Sequence, residues 1–323
     1  LFVLAYFFRG YISDKINGNV VSEIGNKIIP RDFGEINIYF CPRDDCESKF
    51  VEIISKATSA DCAFFDLDLS DVITALNSRE HRIVVDKDNS KDIGSLTNVK
   101  FDNRKEYMHN KFCTLDINGR KFITSGSMNP TKSDAKTNKN NLVIIESNTL
   151  YNNYEDEFDE LWNFNFGKGE NVNNSKVIFN GYLIENYFCP EDECEERLIN
   201  LIDSSEKRIY FMVFSFTSDK IGESLIKSKY YEIDIKGIFD NTQAGSKYSE
   251  FWKLSKTGLN VKKDTEKGFL HHKVFIIDDT VFLGSYNPTS SGNKANDENI
   301  LIIHNKEIAE RFVKEFEGSY NGN

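Results

Sequence analysis

Two short strings hold the residues whose types and spacing could do chemistry. In MHNKFCTLD, His109, Lys111 and Asp116 follow the pattern H-x-K-x4-D; in LHHKVFIID, His271, Lys273 and Asp278 repeat it. Each is followed by G-S-x-N, as Gly126-Ser127-Met128-Asn129 and Gly284-Ser285-Tyr286-Asn287. Phe269–Ile277 is apolar and β-branched, which predicts a strand, and strand residues two apart share a face. Each imidazole therefore lies beside an ammonium. Two such couples facing each other would surround a tetrahedral phosphate with two cations and two imidazoles. The lysines would offset the charge of a phosphodiester, one imidazole would attack phosphorus, and the other would protonate the leaving oxygen. That chemistry calls for no metal and no cofactor.

H-x-K-x4-D followed by G-S-x-N resembles the signature of the phospholipase D superfamily, here present twice and complete. The resemblance runs from about Glu35 to Tyr320. In the second half, SFTS (Ser215–Ser218), the HHK core and NDEN (Asn296–Asn299) are most similar to the EDTA-resistant bacterial nuclease and mitochondrial phospholipase D-like branch. It implies two tandem α/β sandwich repeats about a pseudo-twofold axis, sharing one active site. It also implies that His109 and His271 are nucleophile and general acid, with a phosphohistidine intermediate. Lys111, Lys273, Ser127, Asn129, Ser285 and Asn287 would hold phosphate oxygens. Asp116 and Asp278 would support the local fold.

Aligning GSMNPTKSDAKTNKNN with GSYNPTSSGNKANDEN puts Asn140 opposite Glu298. The resemblance implies that an acid here holds the Nδ1 proton of a catalytic histidine across the axis. Glu298 would then support His109, and Asn140 would support His271. A carboxylate that fixes the tautomer leaves Nε2 free to attack, which favours His109 as nucleophile and His271 as acid. A solvated acid at a strand edge is the plainer account of Glu298. The chain carries its own control: His304 and Lys306 also form H-x-K, but Arg311 stands where the aspartate belongs. His304 is expected at the surface or at a helix entry, His272 in packing, and His81 outside any constellation.

The elements that must position these residues are also duplicated. INIYFCPRDDCESKF matches IENYFCPEDECEERL, so the halves begin alike. In each, a proline before an acidic first turn predicts a helix entry, and 3–4 apolar spacing carries the helix on. Strands are expected at Cys62–Leu69 and Arg208–Phe216. Helices capped by Ser70-Asp71 and Ser218-Asp219 should follow, then strands at Arg82–Asp86 and Ile233–Asp240. The second half adds a helix over Lys247–Thr257 and a strand over Leu259–Lys263. Asn118-Gly119 predicts a tight hairpin turn after Asp116. Final strands at Asn141–Ile145 and Asn299–Ile303 lead into closing helices, Leu150–Phe164 and Glu307–Tyr320. The organisation read from this is a segment 1–34, a repeat 35–166, a Gly/Asn-rich linker 167–176 and a repeat 177–323.

At 323 residues the chain can bury two ordinary cores. Its formal charge of -11 argues against whole-molecule attraction to nucleic acid or anionic lipid. A local field would have to come from Lys262, Lys263 and Lys267, or from Lys132, Lys136 and Lys139; lysines solvated beside nearby acids are the alternative. The opening LFVLAYFF is too short to span a bilayer, which takes about 20 residues. It reads either as the remnant of an anchor or signal segment or as a packed terminal element. Cys62 and Cys113 are expected as buried thiols. Cys41/Cys46 and Cys189/Cys194 read as two local disulfides in an extracytoplasmic setting, as four zinc ligands, or as free thiols in a cytoplasmic one; the spacing favours disulfides.

For substrate, the resemblance points first to single-stranded DNA or RNA, held in a narrow groove with aromatic stacking. A phospholipid, as for a phospholipase D or a cardiolipin synthase-like transferase, is the alternative. A non-catalytic scaffold fits poorly with two intact His–Lys couples. The duplication predicts a monomer that acts as an internal pseudo-dimer.

Overall fold

The computed structural model describes residues 23–24, 27–89, 93–94 and 96–322. The apolar opening LFVLAYFF lies outside them. Three short strands come first: β1 (Glu23–Ile24), β2 (Lys27–Ile28) and β3 (Arg31–Asp32). The first repeat runs β4 (Ile36–Cys41), α1 (Cys46–Lys56), β5 (Ser59–Phe64), α2 (Ser70–Asn77), β6 (Glu80–Asp86) and β7 (Val99–Asp102). It continues through β8 (Lys111–Ile117), β9 (Arg120–Gly126), α3 (Lys132–Lys136), β10 (Asn140–Glu146) and α4 (Asn148–Trp162). The second runs β11 (Lys176–Phe179), β12 (Tyr182–Cys189), α5 (Cys194–Asp203), β13 (Arg208–Val213), α6 (Asp219–Lys229) and β14 (Asp234–Asp240). It ends with α7 (Phe251–Lys256), β15 (Asn260–Asp264), β16 (Lys273–Ile277), β17 (Thr280–Gly284), α8 (Ser290–Lys294), β18 (Glu298–His304) and α9 (Lys306–Gly322).

Among the described residues, one sheet has the order β4-β10-β9-β8-β5-β6-β7. A second reads β15-β14-β13-β16-β17-β18-β12-β11-β3, the same order with β11 and β3 added at its far edge, and β1 and β2 pair by themselves. The two repeats thus share one topology, an α/β architecture with mixed sheets. Residues 31–32, upstream of the first repeat, pair in parallel with β11 and so belong to the second repeat's sheet.

Burial explains how the repeats hold together. Phe112, Tyr154 and Phe158 of the first half merge with Met212, Val274, Phe312 and Phe316 of the second into one core between the sheets. The closing helices α4 and α9 supply much of it, which is why their apolar stripes carry so many aromatics. Separate cores lie on the outer faces, one under α1 and α2 and one under α5, α6 and α7.

Several expectations need correction. The prolines do not enter helices: Cys41-Pro42 and Cys189-Pro190 are cis bonds in a turn, and α1 and α5 begin later, at Cys46 and Cys194. Ser218 caps α6 by accepting from Ile221 N–H, but the N-cap of α2 is Leu69, without a side-chain bond. Cys41–Cys46 and Cys189–Cys194 are disulfides. Cys62 and Cys113 are not thiols but a third disulfide, because they lie directly opposite each other on β5 and β8. At the same register of the second sheet stand Phe211 and Phe275, whose rings stack 5.4 Å apart.

Candidate active site

The predicted strand over Phe269–Ile277 is shorter than its apolar pattern suggests, and the reason bears on the site. β16 starts at Lys273, and β8 at Lys111, so each histidine stands just outside its own strand. Its backbone has been diverted to the other repeat. His109 N–H donates to Asp297 O at 2.9 Å, and His271 N–H donates to Lys139 O at 2.7 Å. Parallel bridges Met108–Asp297 and Lys139–Leu270 extend these contacts. Each imidazole is thereby seated at the start of the other half's last strand.

This crossing delivers the acids. Glu298, first residue of β18, follows Asp297, and its Oε2 lies 2.8 Å from His109 Nδ1. Ser285 Oγ donates to the same oxygen at 2.6 Å. Asn140 occupies the equivalent place beside the His271 strand, but it does not touch the ring. Its Nδ2 donates to the carbonyls of Asp134 and Asn138, at 2.9 and 3.1 Å. The partner of His271 is Asp134, on α3, with Oδ2 3.2 Å from Nδ1 in ion-pair range but off the line of a hydrogen bond. Asp134 is fixed by Asn129 N–H and Nδ2, both 2.8 Å away, and by Asn138 Nδ2 at 2.7 Å. The repeat alignment sets Asp134 opposite Gly292, so each half has one carboxylate, drawn from different positions of the motif.

The lysines behave alike in both halves. Lys111 Nζ donates to His109 O at 2.6 Å and Lys273 Nζ to His271 O at 2.8 Å; all four residues are buried. Removing so many cationic groups from water is costly, and the titrations respond. Burial, then Lys111, Lys273 and His271, push the His109 imidazole well below its ordinary value. Burial takes His271 down to about 4, with Asp134 pulling upward and Lys273 downward. Lys111 falls to about 8 through burial, partly offset by Glu298. Lys273 falls further, through burial and then the neighbouring Lys111. These groups sense one another electrostatically, so they form one cluster.

The two acids diverge. Burial pushes Glu298 up to about 8, with Lys111 working against the shift. Burial also opposes charge on Asp134, but the His271 ring and the bonds from Asn138 and Asn129 outweigh it and hold Asp134 below the usual carboxylate range.

The remaining predicted residues sit as follows. Ser127 Oγ accepts from Asn141 N–H and Nδ2, each 3.1 Å away. Asn287 Oδ1 accepts from Ser215 N–H at 3.3 Å. Asp116 receives Gly119 N–H and Lys121, while Asp278 receives the N–H groups of Glu206, Lys207 and Arg208, all turn and strand-end contacts. His272 is fully buried, and its Nδ1 pairs with Asn141 Nδ2. His304 ends β18 two residues before α9, part-exposed and tied to Thr280 and Glu185. Lys139 is spent on Asp264 and Glu266, Lys136 on Asp45 and Glu47, and Lys262 on Tyr320 O, so half of those six lysines are already engaged.

Some residues at the site escaped the sequence reading. Phe65 and Phe214 each meet a histidine edge-on, His109 at 4.6 Å and His271 at 4.9 Å. Each also lies 5.0 Å under its lysine, Lys111 or Lys273. Outside them stand Tyr107 and Phe269, both 45% exposed and both two residues before a histidine. Their equivalent places in the two copies were the available signal. Asp66, next to Phe65, is raised to about 6 by burial and by Asp68 and Asp134.

A family model described as "Cardiolipin synthase, PLD-like domain" matches residues 51–162 and again 198–320, one match on each repeat. The chain belongs to the phospholipase D superfamily. Among its superfamily relatives, "Phospholipase D" of Rickettsia felis is 30% identical over 39% of this chain and 64% of its own length. "Mitochondrial cardiolipin hydrolase" of Xenopus laevis is 31% identical over 40% of this chain and 63% of its own. The chain thus spans just under two thirds of these relatives. A phosphatidylserine synthase of Haemophilus influenzae shares the fold of the whole superfamily pair, with TM-score 0.63 at 9% identity, over 87% of this chain and 85% of that one.

Proposed function

We propose that the chain is a phosphodiesterase working through a phosphohistidine, and that its substrate is single-stranded DNA or RNA. One observation carries the reading: reciprocal backbone bonds, His109 N–H to Asp297 O and His271 N–H to Lys139 O, bring two buried imidazole–ammonium couples, one from each repeat, to one place, where like charges repel. A phosphate is the anion that would relieve that repulsion. Superfamily membership supports phosphodiester chemistry.

In this reading His109 Nε2 attacks phosphorus, and a phosphorus–oxygen bond breaks. The leaving oxygen takes its proton from His271. Water then attacks phosphorus, giving its proton to His271, and the phosphorus–nitrogen bond breaks to free His109. The aligned bond from Glu298 suits the nucleophile, which must keep Nδ1 protonated. The ionised Asp134 suits the acid, because it raises the proton affinity of His271 relative to His109. Lys111 and Lys273 supply the positive charge, so turnover is expected in EDTA. Tyr107 and Phe269 offer faces for bases on either side of the scissile phosphate.

The names of the curated relatives favour a second reading, hydrolysis of a phospholipid. Labelled single-stranded DNA, RNA, phosphatidylcholine and cardiolipin, each incubated in EDTA beside His109→Ala and His271→Ala, separate the two. Nucleic-acid cleavage lost in both variants supports the first reading. Lipid turnover alone replaces it with the second.

A further inference from the structure

Beside the second repeat's G-S-x-N loop lies a cleft of about 900 Å³ with no role in the chemistry above. One wall is Thr217 and Thr289–Ser291; the other is the segment 246–257, which includes α7. The first of these walls is tied to the loop of the site itself. Thr217 N–H donates to Pro288 O at 2.8 Å, and Thr289 N–H donates to Asn287 O at 2.7 Å. The cleft therefore begins two residues from a proposed phosphate-holding asparagine.

Its lining has an unusual makeup. Tyr248 and Trp252 project into it 68% and 50% exposed, although large rings are ordinarily driven inward. Lys263 Nζ sits 4.7 Å over the Trp252 ring and Lys247 Nζ 4.7 Å over Tyr248, so both rings are oriented by cations. Lys253 is occupied by Asp219, Glu223 and Glu250. Lys256 has no ion pair among the described residues, and Lys247 has none either. Hydroxyls from Thr217, Thr289 and Ser290 complete the floor. Flat exposed rings alternating with unpaired lysines and hydroxyls fit bases and a phosphate backbone together. An acyl chain would want a continuous apolar lining, which these residues do not give.

Among the described residues the first repeat has no equivalent. It joins β6 to β7 with residues 87–98, where the second repeat uses 241–259 to join β14 to β15, and α7 has no counterpart among the described residues.

We propose that this cleft is a one-sided subsite for single-stranded nucleic acid, in which Tyr248 and Trp252 stack bases and Lys247 and Lys256 meet phosphates on one flank of the scissile bond. The proposal rests on the nuclease reading and adds a direction to it. The strand is held firmly on the side of the second repeat and loosely on the other.

The test uses oligothymidylates with one labelled cleavable linkage, lengthened on the 5′ or the 3′ side, with flanking linkages protected as phosphorothioates. For the wild type, kcat/KM should rise about tenfold or more on lengthening in one direction, and by much less in the other. Tyr248→Ala/Trp252→Ala and Lys256→Ala should flatten the favoured dependence. Binding without turnover gives a second readout: in His109→Ala protein, octathymidylate should quench tryptophan emission, with quenching kept in Trp162→Phe and lost in Trp252→Phe. Equal gains on both sides, or a length dependence untouched by the variants, overturns the subsite while the nuclease reading stands. A wild type that cuts no oligonucleotide overturns both. Quenching of Trp252 by vesicles of anionic phospholipid, and not by octathymidylate, also overturns the subsite and assigns the cleft to lipid.

Discussion

The two histidines are placed by the same backbone device but served by different acids. His109 has Glu298, at the head of a strand, fully buried and pushed up to about 8. His271 has Asp134, on a short helix six residues earlier in the motif, held ionised by amide donors. The second repeat has no room for an acid at the Asp134 position: a Cβ on Gly292 would fall 2.4 Å from Asn287 O. The first repeat has an amide, Asn140, where the other has its glutamate. In the proposed chemistry each ring needs a carboxyl group beside its Nδ1, and two positions of the motif place one there. Their different environments then separate the protonation behaviour of two otherwise equivalent rings.

The widest separation is expected from the histidines themselves. His109→Ala should lower kcat on the order of 10⁴-fold or more, and abolish any trapped phosphoenzyme, for every leaving group. His271→Ala should lose roughly 10²–10⁴-fold with an alkoxide leaving group and recover most of it on a p-nitrophenyl diester, which needs no acid. Phosphate found on His271 would invert the comparison.

The carboxylates come next. Glu298→Gln and Asp134→Asn should each cost at least about tenfold in kcat, since each imidazole loses the carboxyl group set beside its Nδ1. If the two positions are interchangeable, Asp134→Asn/Asn140→Glu should regain activity over Asp134→Asn. No recovery in that double variant would show that the helix position does something the strand position cannot.

A third contrast concerns stability. The first repeat ties β5 to β8 through Cys62–Cys113, where the second stacks Phe211 on Phe275. For a closed loop of this size, Cys62→Ala/Cys113→Ala should remove about 4 kcal/mol, read by denaturant unfolding, with protection lost from the first sheet before the second.

The smallest effect is a pH dependence of opposite sign for the two acids. Glu298 is raised when folded, so its contribution is complete below 4.5 and drains away as pH climbs through about 8. Glu298→Gln should therefore gain a few degrees in Tm over the wild type toward pH 8. Asp134 is lowered, so its contribution is present above 3.8 and lost on acidification. Asp134→Asn should melt a few degrees lower at neutral pH, and the gap should close in acid.

The sequence made the duplication readable because two strings with identical spacing cannot hide in a single chain. Strand alternation and apolar helix stripes followed from it, and both sheets keep one strand order. What escaped depended on the crossing between repeats. A strand pattern over Phe269–Ile277 contains no sign that residues 269–271 pair with the opposite half. Position-by-position alignment pointed to Asn140, because Glu298 is its counterpart, and passed over Asp134, whose counterpart is a glycine. The hint was there: the copy lacking an acid at one place carries one at another. Phe65 with Phe214, and Tyr107 with Phe269, were similarly available as aligned pairs, but nothing local distinguishes them from core aromatics. Cys62 and Cys113 looked like ordinary apolar strand residues, since cross-strand register is not written in either strand alone.

The reciprocal bonds from His109 to Asp297 and from His271 to Lys139 have a further consequence. A homodimer built from one such unit would have to place the same side chain at both symmetry-related spots, so any change would be made twice. Joining the units covalently lifts that obligation. One imidazole can be tuned without detuning its twin, and whatever phosphodiester enters the site meets a left hand and a right hand instead of two copies of the same one.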